Sequence, residues 1–149
     1  MTEEQPLFRH ILVPADGSQH SMTAGKLAVQ IASRTRSRLS FLYVVDPSVA
    51  EGISKSSGRE AKQIQEELAT SGQRSLDHLA HLAREAGLEA GKTIRTGEPY
   101  KEITDWAGEQ SVDLIIIGQI GRQGLQRILI GSVTERVIEH APCPVLVVR

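Results

Sequence analysis

Leu114-Ile115-Ile116-Ile117 is apolar at every position and is closed by Gly118. A strand with no polar face must be covered on both sides, which happens inside a parallel sheet with helices above and below. Leu39 to Val45 reads the same way, with Phe41, Tyr43 and Val45 on one side and Leu42 and Val44 on the other. Phe8 to Val13 forms another short strand, ended by Pro14, which has no N–H for a ladder. Pro144 to Val148 supplies the last. Leu88 to Thr96 alternates weakly, and its Glu89, Lys92 and Arg95 suit a strand at a sheet edge.

Helical spacing fills the intervals. Ala24, Leu27, Ala28, Ile31 and Ala32 lie on one helical face, with Asp16 or Ser18 available to cap it. Glu60 to Gly87 carries Ile64, Leu68, Leu76, Leu79 and Ala83, and Gly87 suits the position just past a helix end. Pro99 opens a helix with Ile103, Trp106 and Ala107 as its buried stripe. Ser132 to His140 is a short helix with Val133 and Val137 one turn apart. Asp46 to Arg59, rich in serine and glycine and without a period, reads as a mobile loop. The order β-α-β-α-β-α-β-α-β gives an α/β fold, an open parallel sheet with helices on both faces. No internal repeat or linker divides residues 1–149, which read as one domain.

Composition excludes several functions. The 149 residues carry a net charge of −1 and only 3% aromatics. Neither suits nucleic-acid binding, which needs a basic surface or stacking platforms. A single cysteine, Cys143, excludes an internal disulfide framework or a multi-thiolate zinc site. The opening MTEEQPLFRH has acids where a signal peptide needs bases, and no run approaches the ~18 apolar residues of a membrane span. The expectation is a cytoplasmic protein without membrane insertion.

Ligands of open α/β sheets sit beyond the carboxyl ends of the strands, where strand order reverses. An order of 3-2-1-4-5 would put that point between the first and fourth strands. Pro14-Ala15-Asp16-Gly17-Ser18 follows the first, and a glycine-containing loop from Gly118 to Gly131 follows the fourth. Gly118, Gly121 and Gly131-Ser132 are spaced as G-x2-G-x9-G-S. Glycines let backbone amides approach an anion, and a helix opening at Gly131-Ser132 offers further amides along a favourable dipole. The spacing therefore points to a phosphate-bearing ligand held without a lysine.

These segments resemble the universal stress protein family. The likeness rests on Ile11-Leu12-Val13-Pro14-Ala15-Asp16-Gly17-Ser18, on Leu42-Tyr43-Val44-Val45-Asp46, and on Ile115 to Val148 almost throughout. It implies a Rossmann-like five-stranded sheet and, through the glycine spacing, the branch of the family that binds ATP or AMP. By the same resemblance Pro14, Ala15, Asp16 and Val44 would line the adenine and ribose pocket, Val44 through its backbone. Gly118 would lie near the ribose, Gly121 and Arg122 at the first phosphates, and Gly131, Ser132 and Val133 at the terminal ones. Asp16 is the acid placed to carry Mg²⁺ with the nucleotide. Gln119-Ile120 departs from the Ser-His common in the family and bears on affinity and nucleotide preference. The resemblance also implies a homodimer through the C-terminal strand, with a charge at Val147 expected to separate it.

Other signals carry less. Gly91-Lys92-Thr93 mimics the end of a P-loop, but position 86 is Ala86 and the tripeptide enters a strand. His78 and His81 share a helix face without a third ligand. Cys143 has no histidine placed to activate it, and Ser132 lacks a base and the G-x-S-x-G elbow. No catalytic residue and no protein metal site is assigned. The leading expectation is a nucleotide-responsive regulatory protein whose ligand orders the Asp46–Arg59 loop. The alternatives are a slow ATPase or nucleotidyl-transfer enzyme, and a nucleotide-free dimeric interaction module. No downstream protein partner can be named from the sequence.

Overall fold

The computed structural model describes residues 4–120 and 130–149. Its strands are β1 (His10–Pro14), β2 (Arg38–Val45), β3 (Ala90–Thr96), β4 (Leu114–Gly118) and β5 (Val145–Val148). They form one sheet in the order β3-β2-β1-β4-β5, and every neighbouring pair is parallel. The helices are α1 (Gln19–Thr35), α2 (Pro47–Ser57), α3 (Ala61–Glu85), α4 (Pro99–Glu109) and α5 (Ser132–His140).

Alternation along the strands sorts side chains into two cores. Ile11, Val13, Phe41, Tyr43, Leu114 and Ile116 pack with Ala24 and Ala28 of α1 and Leu76 and Leu79 of α3. Leu12, Leu42, Ile115 and Ile117 face the other way, onto Ile103 and Trp106 of α4 and Val137 of α5. Fully buried residues such as Ile11, Leu12, Ile115 and Ile116 each contribute about 1.5–3 kcal/mol through removal of apolar surface from water. Gly72 brings α3 close to the sheet: a Cβ there would meet the Tyr43 ring at 2.3 Å.

One expected loop is a helix. Residues 47–57, within the Asp46–Arg59 segment, form α2, so the segment is not the mobile loop expected of it. Asp46 caps α2, its carboxylate accepting from the Ser48 amide at 2.9 Å; Pro47 occupies the first turn, and Gly58 closes the helix at φ 73°. Only Ala50 of α2 is buried, so the segment shows no apolar stripe in sequence. Gly87, at φ 81°, does follow the end of α3. In α5 the expected pair separates: Val137 is fully buried, whereas Val133 is 36% exposed.

The amino end of the sheet is sealed by polar groups. Asp113 accepts from the amides of Arg9 at 2.8 Å and His10 at 3.0 Å. The buried His10 ring lies edge-on to Trp106. Its Nδ1 donates to the Gln110 carbonyl at 3.1 Å, and in the neutral ring Nε2 accepts from the Ser40 hydroxyl at 2.7 Å. Burial, and next to it Arg38, pulls the imidazole below its usual range, against the opposing pull of the Gln110 carbonyl and Asp113. The unfolded chain therefore binds a proton at this residue at a higher pH than the folded chain does. Stability should be full above about pH 6.5 and fall as pH drops through that value, by at most about 1.4 kcal/mol per unit from this one group. Thermal melts of His10→Gln across pH 7.5 to 5.5 should show a shallower fall than the unmodified protein.

Candidate functional site

At the carboxyl end of the sheet the strands stop at different levels. The last β1–β2 rung pairs Pro14 with Leu42, and Ala15 extends it by donating to the Leu42 carbonyl at 2.8 Å. Along β2 the backbone groups alternate sides. Arg38 bonds to Arg9 on the β1 side, and Val45 accepts from Gly97 on the β3 side. Val44 is the next residue after Leu42 to turn toward β1, but β1 has already ended. Its N–H and C=O face the crevice with no strand opposite.

The chain leaves β1 in a tight turn. Asp16 accepts from the Ser18 amide at 2.9 Å, and Ser18 caps α1 by accepting from the Ser21 amide at 3.1 Å. Of the two capping candidates, Ser18 is the cap and Asp16 shapes the turn before it. The buried Ser21 hydroxyl donates to the Ser18 carbonyl at 3.0 Å.

Beyond β4 the chain turns away from the sheet. Gln119 donates to the Val148 carbonyl at 2.7 Å, and Gly131 donates to the Gln119 carbonyl at 2.8 Å. The N-cap of α5 is Gly131, and Ser132 is the first helical residue rather than the cap. A serine or aspartate at an N-cap covers the amides of the first turn, as Ser18 does in α1 and Asp46 in α2. Gly131 has no side chain to do so, and its own amide is already bonded. The amides of Ser132 and Val133 are left at the open start of α5. Thr134 completes the turn: its hydroxyl, on a residue only 3% exposed, donates to the Gly118 carbonyl at 2.7 Å.

These elements enclose a cavity of about 280 Å³. Pro14, Ala15, Asp16, Val44, Gly118, Gly131, Ser132 and Val133 all line it, so eight of the residues singled out in the sequence come together. The other two, Gly121 and Arg122, lie outside the described residues. Val49 of α2, Leu68 of α3, Pro99 and Ile103 of α4, Ile120 and Thr134 complete walls that the sequence reading did not assign. Asp46-Pro47 was the readable signal for α2, an N-cap followed by a first-turn proline. Among the described lining residues the charges are two carboxylates, Asp16 and Asp46, and Asp46 is engaged by the Ser48 amide and hydroxyl. Cys143 packs against the α4–α5 core, and burial raises its thiol above the usual range.

Gly118 has a reason that the spacing argument did not supply. A Cβ there would meet the backbone of His20 at 2.8 Å, so the glycine admits the first turn of α1 against the end of β4. It lines the cavity, but helix packing alone already demands its missing side chain. Gly118→Ala should cost about 1–3 kcal/mol through overpacking, read as a lower urea midpoint at unchanged slope.

Among the described residues no helix is long and apolar enough to cross a membrane, and no group of three or more His, Cys, Asp or Glu could hold a metal ion. The family model of the universal stress protein family matches residues 7–149. Universal stress protein MJ0531 of Methanocaldococcus jannaschii is 40% identical over 143 residues, covering 96% of this chain and 83% of that protein. Universal stress protein UspA from Lactobacillus plantarum superposes with a TM-score of 0.83 at 29% identity, over 95% of this chain and 97% of that one. A universal stress protein from Archaeoglobus fulgidus, solved in complex with dAMP, superposes with a TM-score of 0.71 at 21% identity, over 96% of this chain and 99% of that one. The chain belongs to the universal stress protein family.

Proposed function

We propose that this chain binds an adenine nucleotide, AMP or ATP, in the crevice between β1 and β4 and acts as a nucleotide-responsive regulatory protein of the cytoplasm. The observation that carries the reading is the free backbone edge of Val44, an N–H beside a C=O at the level where β1 has stopped. Adenine presents the complement, a ring-nitrogen acceptor beside an amine donor. Guanine presents the reverse and meets the same edge with like groups facing. Val49, Leu68, Ile103 and Ile117 give the base apolar walls. The amides of Ser132 and Val133, with the dipole of α5 behind them, suit the phosphates. Arg122 adds charge from the segment beyond Ile120, and Asp16 holds Mg²⁺ with a triphosphate. The Archaeoglobus protein solved with dAMP has the same fold; at that identity the likeness carries the fold alone, so the weight rests on this chain's own crevice.

Isothermal calorimetry with AMP, ATP, GMP and GTP, with and without Mg²⁺, tests the reading. AMP and ATP should bind at least tenfold more tightly than their guanine counterparts, a difference of about 1.4 kcal/mol or more. Added Mg²⁺ should strengthen ATP more than AMP. Gly131→Val should remove most of the binding, because a branched side chain would crowd the start of α5. The absence of heat with every adenylate would overturn the proposal.

The chain works as a homodimer through β5 in this reading. β5 is an edge strand, and Leu146 on it is 38% exposed. Val147, where a separating charge was expected to act, packs into the α4–α5 core, so the test moves one residue. Leu146→Glu should shift the light-scattering mass from dimer to monomer without changing the fold by circular dichroism; a mass that stays that of a dimer would count against this interface.

A further inference from the structure

The two segments that leave the sheet at the crevice are each held from behind by a buried hydroxyl. In the first, Ser21 ties the turn after β1 within itself, bonding Ser18 three residues away. In the second, Thr134 reaches back 16 residues to the carbonyl of Gly118, the last residue of β4. Threonine at the third position of a helix commonly faces solvent or the helix's own amides. Here it is 3% exposed and committed to another element.

The position of that bond matters. Gly131, the N-cap of α5, is bonded to Gln119, one residue past Gly118. The two bonds therefore join successive residues at the end of β4 to the N-cap and the third residue of α5. Between them lie Ser132 and Val133, whose amides open onto the crevice. A Cβ on Gly118 would meet the backbone of His20 at 2.8 Å, so the end of β4 packs directly against the first turn of α1. The start of α5 is thereby tied to the end of an interior strand against which α1 packs.

We propose that Thr134 is a positioning residue for nucleotide phosphate: its hydroxyl, spent on Gly118, fixes the amides of Ser132 and Val133 where the phosphates sit and makes no contact with the ligand itself. This rests on the nucleotide reading above. An amide pair fixed before the ligand arrives loses no freedom on binding, and that pre-organisation is what the bond contributes. The effect falls on the phosphate end alone, since the base edge at Val44 belongs to β2.

The test compares adenosine, AMP and ATP binding by calorimetry in the unmodified protein, Thr134→Val and Thr134→Ser, with thermal melts of each. Valine keeps the shape and removes the O–H; serine keeps the O–H. In Thr134→Val the loss of AMP affinity should exceed the loss of adenosine affinity at least fivefold, and Thr134→Ser should recover most of it. A smaller ratio, or a serine variant no better than valine, overturns the positioning role, because a merely structural defect would weaken nucleoside and nucleotide alike. If Thr134→Val does not fold, Thr134→Ala is read by the same ratio. An unmodified protein that binds no adenylate overturns the nucleotide reading, and this role with it; binding intact in the unmodified protein and a ratio below five overturns this role alone.

Discussion

The crevice exists because β1 stops before β2 does and its chain turns away. Pro14 is the last rung of β1, Ala15 adds one bond, and Asp16 turns the chain into α1. β2 runs on to Val45. On the other flank β4 ends at Gly118, packed closely against the first turn of α1. α1 covers one face of the sheet, while α4 and α5 cover the other. The gap between the two exits cannot be filled by a neighbouring strand, so it stays a cavity with a backbone edge on one wall and a helix opening on another.

Much of this was legible because burial on both faces leaves a strong mark. Leu114 to Ile117 read as an interior strand, and the polar Leu88–Thr96 as an edge, and the sheet places them so. The order of the strands and the approach of the Pro14–Asp16 and Gly118–Ser132 segments followed from that alternation and from the family resemblance. Other features left weaker marks. α2 buries one residue, so periodicity had nothing to register, and its serines and glycines outweighed the Asp46-Pro47 start signal. Gly118 was read as clearance for a ligand, although α1 already claims the space. Val133 and Val137 have the spacing of a core pair, yet only one turns inward, because the start of α5 stands over the cavity rather than the sheet. Thr134 gave no signal at all: its partner is fixed by tertiary packing and has no periodic relation to it in sequence.

The two ends of the sheet treat backbone polarity differently. At the amino end Asp113 gathers the first amides of β1, and His10 closes hydrogen bonds to Ser40 and Gln110. At the carboxyl end the side chains that could satisfy the backbone are withheld: Gly131 stands where a capping serine would go, and Thr134 looks back toward β4. Donors that a purely structural turn would have covered are left on the cavity wall. The same residue types, serine, threonine and aspartate, close one end and hold the other open, according to which backbone group they engage.

The sheet also has two unlike margins. β3 presents Lys92 and Arg95, held in ion pairs with Asp77, Glu102 and Glu109, whereas β5 is built of four apolar residues, of which Leu146 is exposed. Charge on the first border discourages an incoming strand, and the proposed dimer places its seam on the second. In that proposed dimer each copy uses up its own β5 border, so growth by strand addition would terminate after a single step and leave a fibre no site from which to extend.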